Sequence, residues 1–338
     1  MTAPLPRVLV LALGGTIAMT PDASGGVQPT LTGEALAAAV PALDRMAQLE
    51  VRSFRQLPGA HLGFDDLAAL AEAIRTAAAG GVHGVVVTQG TDTIEETAFA
   101  LDRLVGGDLP VIVTGAMRHP TLAGADGPAN LLAAVQVAAC GDARGLGCMV
   151  VLNDEIHAAR FVRKTHTSSP SAFRSPTAGP LGAVVEGRAR ILLRPEAIAA
   201  LGEGAEAMPT ARVALATAAL GDDGAAIRAL AQAGFDGLVV EALGGGHVAP
   251  AVAQALEAMA ARIPVVLASR VDAGETLACT YGFVGAEIDL QRRGLMRAGW
   301  LDGVKARVLL TLLLRRLGPD RAAIERSFRA WGGGEVAG

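Results

Sequence analysis

Lysine is nearly absent from this chain. Of 29 basic residues only Lys164 and Lys305 are lysine, and arginine supplies the rest. A position that asks only for positive charge is written here as arginine, so each lysine needs its own reason. Cysteine is scarce as well. Cys140, Cys148 and Cys279 are too few and too scattered for a disulfide framework or a zinc site. They read as small core residues in a reducing compartment, which points to the cytoplasm. Basic charge is not in excess. A net charge of −4 and a pI near 5.9 lack the footprint of a nucleic-acid partner. No apolar run reaches the ~18 residues of a membrane span. Val8–Met19 resembles a signal-peptide core, but only Arg7 precedes it and Gly14-Gly15-Thr16 interrupts it, so no leader is expected.

Familiar catalytic signatures are missing too. There is no G-x-S-x-G elbow, no P-loop, no G-x-G-x-x-G in a strand-to-helix context and no H-E-x-x-H. The six histidines are dispersed, without metal-ligand spacing. Metal-dependent and nucleotide-dependent chemistry are disfavoured, and no cofactor or metal is expected.

What remains is a strongly apolar chain, 51% hydrophobic and 18% charged, with material for a large core. Its 338 residues suggest two domains. Val8–Leu13, Gly84–Thr88, Val111–Thr114 and Met149–Leu152 read as buried strands. Phe64–Ala79, Thr93–Val105 and Gly127–Ala139 read as the helices between them. "TIEE" (Thr93–Glu96) reads as a capping box that starts its helix just after Asp92. From Asn153 onward the helical period is lost and a polar, extended β segment follows. Pro195–Thr210 reads as a linker. Beyond it come strands at Val213–Ala216, Gly237–Val240 and Val265–Ala268, with helices at Ala225–Ala233, Ala249–Ala261 and Val304–Leu317. The expected fold is α/β. A larger N-terminal domain (1–194) is built on a doubly wound, mostly parallel sheet; a linker (195–210) leads to a smaller C-terminal α/β domain (211–338).

Sites in doubly wound sheets form outside the carboxyl ends of strands. Three segments sit at such ends: Gly14-Gly15-Thr16, Gln89-Gly90-Thr91-Asp92 and Gly115-Ala116-Met117-Arg118. Taken singly, each has a plain reading. Thr16 is a polar turn residue after two glycines, Thr91 and Asp92 are helix-start residues, and Lys164 is a solvated charge. Taken together, they read as chemistry. A threonine hydroxyl is a weak nucleophile and needs a base. Lysine becomes that base only when its surroundings lower its pKa, and arginine, which does not deprotonate, cannot substitute. Asp92 would orient the lysine or hold a substrate ammonium. Backbone N–H groups after Gly90 or Gly115 would stabilise an oxyanion. The implied reaction is acyl transfer to water without a metal.

These residues also carry a resemblance. "LALGGTIA", "TQGTDTIEETAFALD", "VTGAMRHPTLAGADGPANL" and "VVLNDEIHAARFVRKTHT" are similar to the bacterial-type L-asparaginase family, and "YGFVGAE" and "KARVLL" extend the match through most of the chain. The resemblance implies that Thr16 is the nucleophile of an acyl-enzyme. Thr91, Asp92 and Lys164 would then form a second triad that activates the nucleophile or the water. It further implies that Asp92 holds the substrate α-ammonium and that the Ala116 region meets the side-chain amide. Glu287 would be a carboxylate donated across a subunit interface. The implied partner is a second copy of the chain, in a dimer or a tetramer of intimate dimers, with a small amino-acid amide as substrate and no nucleic acid or membrane.

Three positions depart from that pattern. The loop tyrosine that follows the glycine-threonine motif in many members is replaced by Gly26 or Val27. The only tyrosine, Tyr281, is a candidate substitute from the C-terminal domain. Gly59 and Ala60 stand where a serine holds the substrate α-carboxylate. A lost donor to a charged group is worth roughly 1.5–3 kcal/mol, about ten- to a hundredfold in affinity. Third, "GGGHV" (Gly244–Val248) carries His247 where tight-binding members have asparagine or serine. The leading expectation is hydrolysis of L-asparagine to L-aspartate and ammonia. A glutaminase-asparaginase or related small-amide hydrolase is the runner-up, and a non-catalytic amino-acid-binding protein is the reading from another class. A tRNA-dependent amidotransferase subunit is set aside, because such relatives carry a further domain ahead of GGTIA.

Overall fold

The computed structural model describes residues 4–15, 17, 19–21, 27–29, 32–202 and 207–333. The chain divides into two compact units, Met1–Gly202 and Glu203–Gly338.

The N-terminal unit runs through β1 (Arg7–Ala12), β2 (Met19–Pro21), β3 (Val27–Pro29), α1 (Gly33–Ala38), β4 (Gln48–Ser53), α2 (Phe64–Ala79), β5 (Gly84–Thr88) and α3 (Ile94–Leu104). It continues with β6 (Val111–Thr114), α4 (Gly127–Ala138), β7 (Cys148–Leu152), β8 (Glu155–Ala158), β9 (Arg163–Lys164), β10 (Phe173–Arg174), β11 (Gly182–Val185) and β12 (Arg188–Ile191). An eight-stranded sheet has the order β12-β11-β8-β7-β6-β5-β1-β4. From β4 to β7 neighbouring strands are parallel; from β7 to β12 they are antiparallel.

The apolar runs read as strands are central because both their faces must be covered. Successive side chains on a strand point to opposite faces. Val8, Val10, Val86 and Ile112 therefore pack with Leu36 of α1 and Leu131 and Val135 of α4. Leu9, Leu11, Val85 and Val87 pack with Leu70 and Ile74 of α2 and Ala98 and Leu101 of α3. Helices on both faces make the sheet doubly wound. Antiparallel growth starts at Asn153-Asp154, whose φ values of 52° and 61° give the two-residue loop that joins β7 to β8. Asn and Asp tolerate that left-handed backbone better than other side chains. Residues 195–202 stay with this unit: Leu201 N–H donates to Arg103 O at 2.9 Å.

The C-terminal unit contains β13 (Val213–Thr217), α5 (Ala225–Gln232), β14 (Gly237–Ala242), α6 (Pro250–Ala260), β15 (Val265–Ser269), α7 (Glu287–Arg292), β16 (Met296–Arg297), α8 (Gly303–Leu317) and α9 (Arg321–Gly332). Its four strands form a parallel sheet in chain order. Ile227 of α5 and Val252 and Leu256 of α6 pack on Leu238, Val240 and Leu267. Among the described residues no helix is long and apolar enough to cross a membrane.

Lys305 now has its reason. It lies on α8 with no accessible surface, and its Nζ donates to Asp302 Oδ2 at 2.5 Å. Asp302 also caps α8, accepting from Lys305 N–H at 2.9 Å. Breaking a buried ion pair by removing one partner costs roughly 3–5 kcal/mol, because the other charge stays buried. Lys305→Met is therefore expected to lower the urea midpoint of this unit by more than about 1 M, given slopes of ~1–3 kcal/mol per M. The chain's two tryptophans, Trp300 and Trp331, both lie in this unit and report its unfolding by fluorescence. An unchanged midpoint would show that the pair adds nothing to stability.

Candidate active site

The sheet order sets the location. The chain leaves β1 for β4 on one side and returns to β5 on the other, so the order reverses between β1 and β5. A crevice at that switch point, outside the carboxyl ends, is where such sheets bind ligands. Gly14 and Gly15 leave β1 with φ of 99° and 81°, a backbone that side-chain-bearing residues rarely adopt. A Cβ on Gly15 would stand 1.9 Å from Gly90 N, and one on Gly59 would stand 2.8 Å from Gly90 O. The end of β1, the end of β5 and the short turn Gly59–His61 thus touch backbone to backbone. Thr16 and Gly26 lie outside the described residues. The residue after Thr16, Ile17, is buried, 2% exposed.

The expected capping box does not form. A 3₁₀ turn, Thr91–Thr93, precedes α3, and Thr93 makes no side-chain cap bond. Its hydroxyl donates instead to Gly59 O at 2.9 Å and accepts from Gln89 Nε2 at 3.2 Å. The crossing of the three backbones takes that hydroxyl away from the helix end. Thr91 and Asp92 are left at the mouth of the crevice.

Lys164 arrives from a different direction. It sits on β9, opposite Phe173 of β10. Val162 and Phe173 are buried, and Thr165 N–H donates to Ala172 O at 2.7 Å, so the hairpin is anchored on both sides of the lysine. Lys164 Nζ lies 3.0 Å from Thr91 Oγ1 and 3.0 Å from Asp92 Oδ1, donating to both. The lysine side chain is 17% exposed and that of Asp92 is 65% exposed. An open cavity of about 400 Å³ faces them, lined by Asp92, Lys164, Thr165, His166 and Thr167. The Nζ–Oγ1 distance suits proton transfer in either direction.

Other expected contacts fall differently. Gly59 and Gly90 are buried in the backbone crossing, and Ala60 is exposed beside it. Ala116 is fully buried, with no surface left for a ligand. Glu287 is fully buried in the C-terminal unit, with both carboxylate oxygens engaged there. Oε1 accepts from Thr280 N–H at 2.8 Å and Tyr281 N–H at 2.6 Å; Oε2 lies 3.2 Å from His247 Nε2. Burial pushes its pKa up, but the backbone N–H groups and His247 outweigh that and hold it below the ordinary value. Tyr281, 44% exposed, packs edge-on against His247 with ring centres 5.0 Å apart.

The sequence reading missed Asn130. It is 2% exposed on α4; its Nδ2 donates to Gly115 O at 3.0 Å and Asp126 Oδ2 at 3.1 Å, and its Oδ1 accepts from Asn153 N–H at 2.9 Å. One side chain therefore ties the β6 end, the α4 start and the β7–β8 turn together. Asp126 accepts from Met117 N–H at 3.0 Å and Arg118 N–H at 2.9 Å, fixing the loop after β6. The available signal was a polar residue on the apolar face that continues through Ala134 and Val137.

The chain matches the family model described as "Asparaginase, N-terminal" over residues 7–197. It matches the "Glutaminase/Asparaginase C-terminal domain" over residues 212–328. It is 38% identical to a "Probable L-asparaginase" of Deinococcus radiodurans, over 97% of this chain and 98% of that protein. It is 34% identical to a "Glutaminase-asparaginase" of Pseudomonas fluorescens, over 96% of this chain and 90% of that protein. The crystal structure of a "Probable Cytoplasmic L-asparaginase" from Campylobacter jejuni superimposes with a TM-score of 0.85 at 30% identity, covering 96% of this chain and 99% of that one. The switch-point threonine, aspartate and lysine therefore stand in a chain whose two halves both match one family: it belongs to the bacterial-type asparaginases.

Proposed function

We propose that this protein hydrolyses the side-chain amide of L-asparagine to L-aspartate and ammonia. The observation that carries this reading is Lys164 Nζ at 3.0 Å from both Thr91 Oγ1 and Asp92 Oδ1, at the end of β5. In the proposed route a threonine hydroxyl adds to the amide carbon. Ammonia leaves with a proton, and water then hydrolyses the ester and restores the hydroxyl. Lys164 serves as the base that relays the hydroxyl proton through Thr91. Thr16 is the residue we assign to the acyl-enzyme. Asp92, the most exposed of the three, holds the lysine and takes the substrate ammonium. The enzyme works as a homo-oligomer in the cytoplasm, in line with its unpaired cysteines.

A broader amide specificity is the second reading. Gly59 and Ala60 supply no hydroxyl for an α-carboxylate, which weakens the hold on one particular amino acid. Ammonia release from L-Asn, D-Asn, L-Gln and short β-aspartyl amides, measured beside Thr16→Ala, separates the readings. The expected result is release from L-Asn above the others, abolished in the variant. Comparable rates with L-Gln would favour the broader enzyme. No ammonia from any amide would leave only a binding protein.

A further inference from the structure

Thr93 gives up its expected place as a helix cap, and Gln89 beside it is left unsatisfied. A threonine at a helix start ordinarily bonds the free N–H groups of the first turn. Here its hydroxyl bonds Gly59 O and Gln89 Nε2 instead. Gln89 is fully buried, and among the described residues its Oε1 has no hydrogen-bond partner. A buried polar atom without a partner is costly and asks for an explanation. Two local preferences are therefore set aside at adjoining side chains in favour of one hydrogen-bond chain, as happens at functional sites.

The direction of that chain is fixed by its ends. Gln89 Nε2 also donates to Gly90 O at 3.2 Å, and a carbonyl oxygen only accepts, so the amide is held one way round. Thr93 Oγ1 then accepts from Nε2 and sends its own proton to Gly59 O. The Gly59–Ala60 peptide is trans, with its C=O and N–H on opposite sides. Holding Gly59 O against Thr93 thus aims the Ala60 N–H the other way. Among the described residues that N–H has no hydrogen-bond partner, and Ala60 is exposed. The turn Gly59–His61 packs against the turn Thr91–Thr93, which carries Asp92. A Cβ on Gly59 would stand 2.8 Å from Gly90 O, so position 59 has no room for a hydroxyl-bearing side chain unless the backbone moves. Beside Asp92, this turn has its backbone N–H groups to offer.

We propose that Thr93 is a positioning residue for the substrate α-carboxylate: through Gly59 O it aims the Ala60 N–H at that group, and Gln89 keeps the Thr93 hydroxyl in line. The proposal rests on the amino-acid amide reading of this site, in which Asp92 takes the ammonium. In an α-amino acid one carbon separates ammonium from carboxylate, so the carboxylate must find its donor close to Asp92. Lys164 Nζ is the cation there, and it already donates to Thr91 and Asp92. A backbone N–H whose direction is set in advance is a strong donor to a carboxylate.

The test joins calorimetric titration of the full chain with L-aspartate to steady-state hydrolysis of L-Asn. Thr93→Val keeps the shape of the side chain and deletes the hydroxyl. It is expected to weaken L-aspartate binding and to raise KM for L-Asn at least tenfold, the usual worth of a donor to a charged group, with kcat within about threefold of the parent. Thr93→Ser, which keeps the hydroxyl, is expected to restore both. Thr93→Ala repeats the deletion if Thr93→Val lowers the thermal midpoint below the assay temperature. Unchanged L-aspartate affinity after the deletion overturns the proposal, as does a parent that binds no L-aspartate. A fall in kcat at unchanged KM, or a serine variant no better than the valine one, also overturns it, because Thr93 would then serve the fold alone. No ammonia from L-Asn with the parent, beside the expected L-aspartate affinities, would overturn the amidohydrolase reading and leave the assignment of Thr93 standing.

Discussion

Lys164→Arg is expected to fold, bind its amide substrate and release ammonia ~10²–10⁴-fold more slowly, the usual worth of a positioned base. The substitution keeps the positive charge beside Asp92, so a merely electrostatic role for the lysine would survive it. It removes the capacity to take a proton, because a guanidinium does not deprotonate in proteins. The lysine sits 3.0 Å from Thr91 Oγ1, and its backbone is paired with that of the buried Phe173 on β10. The longer, planar head of arginine also cannot reach Thr91 and Asp92 with one atom. Steady-state kinetics divide the possibilities. A fall in kcat with little change in KM supports proton transfer. A rise in KM at unchanged kcat would make Lys164 a binding residue. Activity within tenfold of the parent would remove it from the catalytic machinery altogether.

Gly15→Ala should be the most damaging single methyl group in the N-terminal unit. Its Cβ would lie 1.9 Å from Gly90 N, 2.3 Å from Gly90 Cα and 2.5 Å from Gln89 C. All three are backbone atoms on a central strand end, and none has a side chain to swing away. The φ of 81° adds the strain of a left-handed alanine, about 1–2 kcal/mol. The two segments must separate by an ångström or more, and displacements of that size in a site cost about 10²-fold in rate. Loss of stability should exceed ~4 kcal/mol, the range reserved for overpacking of this kind. Gly81→Ala supplies the control. Gly81 has φ 77° but nothing within 4 Å of its Cβ position. It bears the strain without the collision. If both variants unfold at the same temperature with the same activity, the close approach of the three segments has no mechanical importance.

Physical reasons explain which features could be read from the chain. The strands Gly84–Thr88 and Val111–Thr114 and the helix Phe64–Ala79 have the bounds that the residues suggested. A strand covered on both faces must be apolar throughout, and such a run is visible without neighbours. β4 was not visible, because Gln48–Ser53 is an edge strand with no fully buried residue, exposed or half-buried throughout. β8 falls in the polar β segment read from Asn153 onward, but β11 and β12 were hidden, being short and partly polar.

The candidate site divides in the same way. Thr91 and Asp92 were marked by their place at a strand end, and Lys164 by its rarity. Their meeting was not readable, since the lysine is 73 residues from Thr91 and reaches it only through the sheet order. Thr93 was misassigned because its capping partner was counted along the sequence. Its actual partner, Gly59 O, lies 34 residues away. Asn130 was concealed by an apolar helix that gave no hint of its two distant partners, Gly115 and Asn153.

The hairpin that delivers Lys164 has a consequence for how such enzymes diversify. Two ladder pairs, Phe173 with Lys164 and Arg174 with Arg163, and the bonds from Thr165 to Ala172 O hold it. A one-residue slip in a strand turns every side chain to the opposite face. Chain length between Ala158 and Lys164 is therefore frozen, since any insertion there would aim the lysine away from Thr91. Residues 166–171, at the hairpin tip, are under no such restriction, yet His166 and Thr167 wall the open cavity beside Asp92. Lineages can lengthen or recompose that tip, and with it the wall of the cavity, while Lys164 keeps its aim at Thr91.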